Sequence, residues 1–421
     1  MSKTTIIVSC PIDTYSGYGA RSRDLVKSLM KNPEYDVKVL SQRWGNTSFG
    51  YLDDHNETEL SKSIIPRVQS APDIWMQITV PNEFQKVGKY NIGITAGIET
   101  TVAPPQWIEG CNRMDLILTS SEHSKNVFKS LKFEQTDKSG KVLNIITLNT
   151  KIETLFEGLD VTKYFKTNSN FDLDSIKESF CFLFVGHWLQ GSFGQDRKNV
   201  GYTIKSFLET FKNKPAPPAL ILKTGLGTSS HVNTDIILKK INEIRSTVKG
   251  KLPNIYLVDG DMEDSDINAL YNHPKIKAMV CLTKGEGFGR PLLEFSITGK
   301  PIIASGWSGQ IDFLNKEFTT LINGELTQVD DSAAVKDMIL KEGRWFTPND
   351  GEVGKAYKNI YSNYKKYLQL GKRQAHYSKS NFSLENMEQR LQSILDENLP
   401  IFPKQTELAL PNLTLPKLKL K

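Results

Sequence analysis

Cysteine is scarce: Cys10, Cys111, Cys181 and Cys281 lie far apart, with no Cys-x-x-Cys spacing. That scarcity excludes a disulfide-stapled scaffold, and the apolar surroundings of the four read as buried thiols in a reducing compartment. Long hydrophobic runs are missing too, so no segment of the sequence is expected to span a bilayer. At the N-terminus Ile6-Ile7-Val8 is too short for the apolar part of a secretory leader and reads as a first buried strand. A cytoplasmic protein is the expectation. The six histidines show no metal-ligand spacing, and no repeat of solenoid period is present.

Charge of one sign is not in large excess. Against 53 Lys and Arg stand 47 Asp and Glu, a formal charge of +6. Over residues 1–170 acids and bases nearly balance, so the excess falls in the remainder. Part of it is the end of the chain, where Lys404, Lys417, Lys419 and Lys421 face Glu407. A mild excess of this kind suits phosphate binding as readily as nucleic acid and decides neither.

What is present is a globular composition, 38% hydrophobic and 24% charged, over 421 residues, a length that calls for two α/β domains. Short apolar strands alternate with helix-length amphipathic segments, the pattern of parallel sheets. The first half gives strands near Thr5–Cys10, Asp36–Leu40, Trp75–Val80, Tyr90–Ile94, Asp115–Ser120 and Leu143–Leu148. Helices are expected over Ala20–Met30, Pro105–Gly110 and Glu122–Lys132, with Ser41–Pro72 as a long polar loop. A second series gives strands at Cys181–Gly186, Ala219–Thr224, Asn254–Asp259, Lys277–Leu282 and Pro301–Ser305. Its helices are Val200–Phe211, Asp235–Lys249, Asp264–Asn272 and Pro291–Thr298, and Val353–Glu397 is mostly helical. The expected division is a Rossmann-like domain over 1–170, a second over 171–360, helices over 361–397 and a basic tail over 398–421. Phe165–Glu178 is the linker. Two doubly wound domains leave a cleft, and such sheets bind ligands at the carboxyl ends of their strands.

The most informative stretch is Lys284-Gly285-Glu286-Gly287-Phe288-Gly289-Arg290-Pro291-Leu292-Leu293-Glu294, which follows a strand and opens a helix. Its glycines let backbone N–H groups approach a ligand, Pro291 suits a first helical turn, and a helix N-terminus favours anions. Glu286 on the loop and Glu294 one turn into the helix present two carboxylates to hydroxyl groups.

This segment resembles the E-x7-E motif of retaining glycosyltransferases of the GT-B fold, in particular family 4. The resemblance extends along most of the chain. Phe184-Val185-Gly186 followed by Arg197-Lys198-Asn199 is similar to the family's start of the second domain. Asp264–Tyr271 with Met279–Leu282 resembles the lead into the Glu loop, and Gly299–Ser305 the segment after it. Ser16-Gly17-Tyr18-Gly19 resembles the family's glycine loop facing the donor phosphates, and Glu157–Val161 with Phe165 its domain-boundary turn. Ser380–Ser383 and the following helix resemble the C-terminal helix that crosses back over the cleft.

The resemblance implies an α/β GT-B fold and transfer of a sugar from a nucleoside-diphosphate sugar, with no obligatory metal or cofactor. It implies that Glu286 orients sugar hydroxyls, that Gly287, Phe288 and Gly289 line sugar and phosphate, and that Glu294 holds the ribose. Gly17 and Gly19 would face the donor, and Lys198, with Arg197 nearby, would neutralise the diphosphate leaving group. For Arg197 and Lys198 a solvated helical turn is the alternative; for Lys223, a phosphate contact or a surface lysine. His187 stands where many members carry Arg. Gly97-Ile98-Glu99-Thr100-Thr101 stands where many carry a His, so Glu99 either receives the acceptor proton or caps the next turn.

The compact, Lys/Asn-rich chain also resembles glycosyltransferases encoded by bacteriophages. Its acceptor is accordingly either a hydroxymethylated base in phage-type DNA or a glycan. A non-catalytic sugar-nucleotide or carbohydrate-binding protein is the competing class. Gly17-x-Gly19 and Gly225-x-Gly227 lack a third glycine, which argues against a dinucleotide site, and Asp259-Gly260-Asp261 reads as a strand-ending turn. Trp44, Phe49 and Tyr51 either stack on an acceptor or pack their own loop.

Overall fold

The computed structural model describes residues 3–227 and 230–402. The chain opens with β1 (Thr4–Cys10), α1 (Gly17–Met30), β2 (Tyr35–Ser41), α2 (Tyr51–Asp54), α3 (Thr58–Ser63), β3 (Ile74–Ile78) and β4 (Tyr90–Thr95). It continues through α4 (Pro105–Asn112), β5 (Leu116–Thr119), α5 (Glu122–Ser130), β6 (Lys132–Thr136), β7 (Val142–Thr147) and β8 (Lys151–Thr154). Five of these strands and β8 form a parallel sheet in the order β2-β1-β3-β4-β5-β8. Both faces of that sheet are covered. Ile6, Val8 and Cys10 of β1 pack against Leu25, Val26 and Leu29 of α1, while Ile7 points the other way, toward Trp75, Trp107 and Ile117. Side chains two apart share a face, so a continuous apolar run feeds two cores.

The second series is β9 (Cys181–Val185), α6 (Val200–Phe211), β10 (Ala219–Lys223), α7 (His231–Ser246), β11 (Ile255–Val258) and α8 (Asp264–Asn272). Then come β12 (Ile276–Cys281), α9 (Arg290–Ser296), β13 (Ile302–Ser305), β14 (Thr320–Ile322), β15 (Gly324–Gln328) and β16 (Arg344–Pro348). Its parallel sheet runs β11-β10-β9-β12-β13-β14, with Phe182 and Phe184 in one core and Cys181 and Leu183 in the other. The strand order reverses between β9 and β12. Such a switch point leaves a crevice at the strand ends, here flanked by the loops after β9 and after β12.

Three helices close the described chain: α10 (Asp350–Ser362), α11 (Tyr364–Asn381) and α12 (Leu384–Asn398). The first two stay on the second domain, where Gln374 of α11 donates to the Phe313 carbonyl at 2.8 Å. The third crosses back. Met387, Leu391, Ile394 and Leu395, spaced for one helix face, are buried in the first domain's core beside Leu25 and Leu29. Ser383 caps α12 by accepting from the Asn386 amide at 3.1 Å. Just before it, the two connections between the domains run side by side: Leu159 N–H donates to Phe382 O and Leu384 N–H to Leu159 O.

Several expectations are corrected. The run expected as a sheet strand at Leu143–Leu148 is β7, which pairs antiparallel with β6 outside the main sheet; β8 takes the edge position instead. Leu143 and Ile145 are 63% and 55% exposed, so apolar content there does not signal burial. The loop over Ser41–Pro72 contains α2 and α3, whose Tyr51, Leu52 and Leu60 join the core. The linker is not a free tether, because Leu173 and Ile176 pack with Cys181 and Tyr271. Strands β14 to β16 were not expected. The lysines expected in the tail after Pro403 lie outside the described residues.

Candidate functional site: a charged interdomain cleft

The segment between β12 and α9 forms the second domain's wall of the cleft. Gly289 precedes α9 with φ 103°, a left-handed conformation that favours glycine, and Pro291 sits in the first helical turn. Gly285 and Gly287 are glycines for a different reason than ligand approach. A Cβ on Gly285 would lie 1.9 Å from the Glu99 carbonyl oxygen, and one on Gly287 would lie 2.5 Å from that of Ala96. The first domain's backbone therefore presses directly on this loop. Ser308 Oγ accepts from the Glu286 amide at 2.9 Å, whereas the amides of Gly287, Phe288 and Gly289 have no protein acceptor among the described residues. Three adjacent unsatisfied donors are suited to an anionic or hydroxyl-bearing ligand.

Four charged side chains meet beside this loop. Lys198 Nζ lies 2.6 Å from Glu286 Oε1, and an Arg197 guanidinium nitrogen lies 3.3 Å from Glu286 Oε2. The same guanidinium reaches Glu99 of the first domain at 3.5 Å and donates to the Gly285 carbonyl at 2.8 Å. Burial pushes the Glu286 carboxyl up, but the Lys198 and Arg197 charges outweigh it and hold the group below its ordinary value. Neither basic residue is a solvated helical turn, since each side chain is only 15% exposed.

Glu294 lies in a second cluster. Arg290 Nε is 2.9 Å from Glu294 Oε1, and the guanidinium also reaches Asp24 at 2.8 Å and Glu157 at 3.9 Å. Arg290 thus ties the second domain to α1 and to the strand-end segment after β8. Burial dominates Glu294 and pushes it up to about 7; Arg290 opposes this, and Asp264 and Glu157 reinforce it.

A cavity of about 400 Å³ opens between the loops of the switch point, lined by Gly17, His187, Lys198, Lys223, Thr224 and Pro291 among others. Its size falls in the range of small-molecule sites. The Thr224 hydroxyl is buried without a hydrogen-bond partner, an orphan that a ligand in the cavity could satisfy. Lys223 donates to the Gly260 carbonyl, and burial lowers its pKa against the pull of Asp261 and Asp259. His187 is also lowered, by burial and then by Lys198. An adjoining cavity of about 250 Å³, sharing Gly17 and Met262 with the first, contains Arg290 and Glu294.

The structure thus brings Glu99, Arg197, Lys198 and Glu286 into one ion cluster and places Gly17, Lys198 and Lys223 in one cavity, with Glu294 next door. Gly19 is not in either cavity; a Cβ there would lie 2.2 Å from the Thr14 carbonyl oxygen, so its role is packing of the first turn of α1. The Phe288 ring is buried against Phe313, which leaves only its backbone for a ligand. Tyr51 is buried and stacks on His55, Trp44 stacks on Tyr18, and Phe49 is exposed. Sequence reasoning missed Ser308 and Thr224; the run Ser305-Gly306-Trp307-Ser308-Gly309, a glycine-rich turn after a strand, was the available signal for the first. Among the described residues no group of three or more His, Cys, Asp or Glu could hold a metal ion, and no helix is long and apolar enough to cross a membrane.

No family model matches the chain, and no curated protein matches it. Solved structures do match in fold. A glycosyltransferase from Rickettsia africae aligns over 95% of this chain and 99% of its own at 13% identity, with a TM-score of 0.63. A sucrose-phosphate synthase from Thermosynechococcus elongatus aligns over 94% and 99% at 12% identity, TM-score 0.60. HepE from Anabaena, solved with UDP-glucose, aligns over 93% and 99% at 12% identity, also with a TM-score of 0.60. At such identities the likeness concerns architecture: this chain has the two-domain α/β GT-B fold.

Proposed function

We propose that the protein is a glycosyltransferase that moves a sugar from a nucleoside-diphosphate sugar to an acceptor hydroxyl with retention of configuration. The observation that carries the reading is the Lys198–Glu286 pair at the wall of a cavity that also holds Lys223 and the orphan Thr224 hydroxyl. Cationic side chains beside unsatisfied amides suit a diphosphate, and a buried ionised carboxylate suits sugar hydroxyls. The fold likeness to HepE, solved with UDP-glucose, supports the same donor class.

In this reading the diphosphate lies against Lys198, Lys223 and the Gly287–Gly289 amides, Glu286 orients the sugar, and Glu294 faces the ribose. The acceptor oxygen bonds to the anomeric carbon as the bond from that carbon to the phosphate oxygen breaks. The acceptor proton passes to the departing phosphate, whose growing charge Lys198 stabilises. The near-balance of acids and bases over residues 1–170 favours a glycan over DNA, whose backbone calls for a basic track. The test is mass: glycans and hydroxymethylcytosine-containing DNA are incubated with donor, then weighed. A gain of one sugar on a glycan supports the reading. A gain on the DNA nucleoside moves the acceptor to DNA, and donor binding without any turnover favours a binding protein.

A further inference from the structure

Arg197 and Lys198 are neighbours in sequence, yet their side chains serve different places. Lys198 lines the 400 Å³ cavity, and Arg197 does not. The Arg197 guanidinium turns into the seam between the domains, 2.8 Å from Gly285 O, 3.3 Å from Glu286 and 3.5 Å from Glu99. Its backbone is fixed there as well, because its carbonyl accepts from the Lys284 amide at 2.8 Å and from the Thr283 hydroxyl at 3.1 Å. On the far side, Thr101 of the Glu99 loop exchanges hydrogen bonds with Arg344 at 2.9 Å each. Two carboxylates from two domains are thereby brought to one cation. Without it Glu99 and Glu286 would repel across the seam, with Lys198 near only one of them.

Resting on the transferase reading, we propose that Arg197 is a positioning residue and not a diphosphate ligand: it holds Glu99 of the first domain in register with Glu286, so that acceptor and donor sugar align when the cleft is closed. The seam it occupies is the one where Gly285 and Gly287 meet the backbone of Glu99 and Ala96.

The test uses the full chain and its Arg197→Ala, Arg197→Lys, Lys198→Ala, Glu99→Gln and Arg197→Ala/Glu99→Gln variants. Affinity for UDP and GDP is measured by calorimetry, and kcat and KM for the donor that turns over. Lys198→Ala is expected to weaken nucleoside diphosphate binding roughly 10-fold or more, as loss of a charge-assisted contact does. Arg197→Ala should leave that affinity within about 3-fold of wild type, less than half the free energy of a full contact, yet lower kcat roughly 100-fold, the cost of misalignment. Arg197→Lys should recover part of that loss. The acidic limb of kcat/KM against pH should move upward in Arg197→Ala, because Glu286 loses one of two cations. The double variant should lose less than the product of the single losses, since both act through one contact. Diphosphate affinity falling in Arg197→Ala as far as in Lys198→Ala would overturn the proposal, as would multiplicative losses with an unmoved limb. A wild type that binds no nucleoside diphosphate would overturn the transferase reading, and this one with it. A wild type that binds and turns over donor while Arg197→Ala keeps full kcat would overturn the positioning role alone.

Discussion

Glu294 is a buried carboxyl with one cationic partner and two acidic neighbours, and its energetics follow from that company. Its pKa is about 7 in the folded chain against an ordinary 4.5, so the folded state holds the proton over the intervening pH range. Stability then falls as pH rises from about 4.5 to about 7, because the unfolded state releases that proton first. The effect is of order 2–3 kcal/mol for a shift of this size. Glu294→Gln is expected to flatten that part of a denaturation-midpoint-against-pH curve; an unchanged slope would show that Glu294 is ionised when folded. Lys198 makes the opposite kind of contact, a close pair that keeps Glu286 charged. Replacing Lys198 by Ala should cut kcat for donor turnover by about 10² to 10³, the usual loss on removing one donor to a developing anion. Glu286 and Glu294 were singled out in the sequence because glycines, a proline and a preceding strand frame them, and Lys198 because Arg197-Lys198-Asn199 resembles the start of a GT-B second domain. Their partners were not. Arg290 meets Asp24 across 266 positions of sequence, and no local pattern announces a pairing set by how two domains dock.

At the scale of elements, the glycine loop and α12 join the two domains. Gly287 has so little room that an alanine Cβ would sit 2.5 Å from the Ala96 carbonyl oxygen. Gly287→Ala is expected to force the domains apart at the seam, abolishing transfer while far-UV circular dichroism stays that of wild type. Retained transfer would mean the loops part during turnover. Helix α12 was expected within the mostly helical stretch Val353–Glu397, and Leu391→Ala at its buried centre should cost about 2–5 kcal/mol in urea denaturation. Strands β1 and β9 were readable because parallel strands covered on both faces leave continuous apolar runs. The same rule misled at Val142–Thr147. Its Val, Leu and Ile content mimics a buried strand, but the hairpin turns Leu143 and Ile145 outward, and only tertiary placement distinguishes the two. The helices α2 and α3 were hidden by their brevity, four and six residues, within a polar stretch.

For the whole molecule, two doubly wound domains face each other across a cleft, α12 returns to the first, and the charged residues gather where the switch point of the second sheet opens. The two domains and their cleft followed from the order of strands and helices in the sequence, and the return of α12 from the resemblance of Ser380–Ser383 and the following helix to a crossing C-terminal helix. How tightly the cleft closes did not, because it rests on backbone contacts of Gly285 and Gly287 and on bridges such as Arg197 to Glu99. The GT-B likeness to solved glycosyltransferases concerns the fold, and the cavity beside Lys198 and Lys223 is where the proposed donor would lie. The measurement that tests this most directly is release of nucleoside diphosphate from a panel of UDP-, GDP-, ADP- and TDP-sugars by the wild type and by Glu286→Gln. One donor is expected to be consumed by the wild type and the same donor to be spared by the variant. Release from none of them by the wild type, or equal release by both proteins, would contradict it.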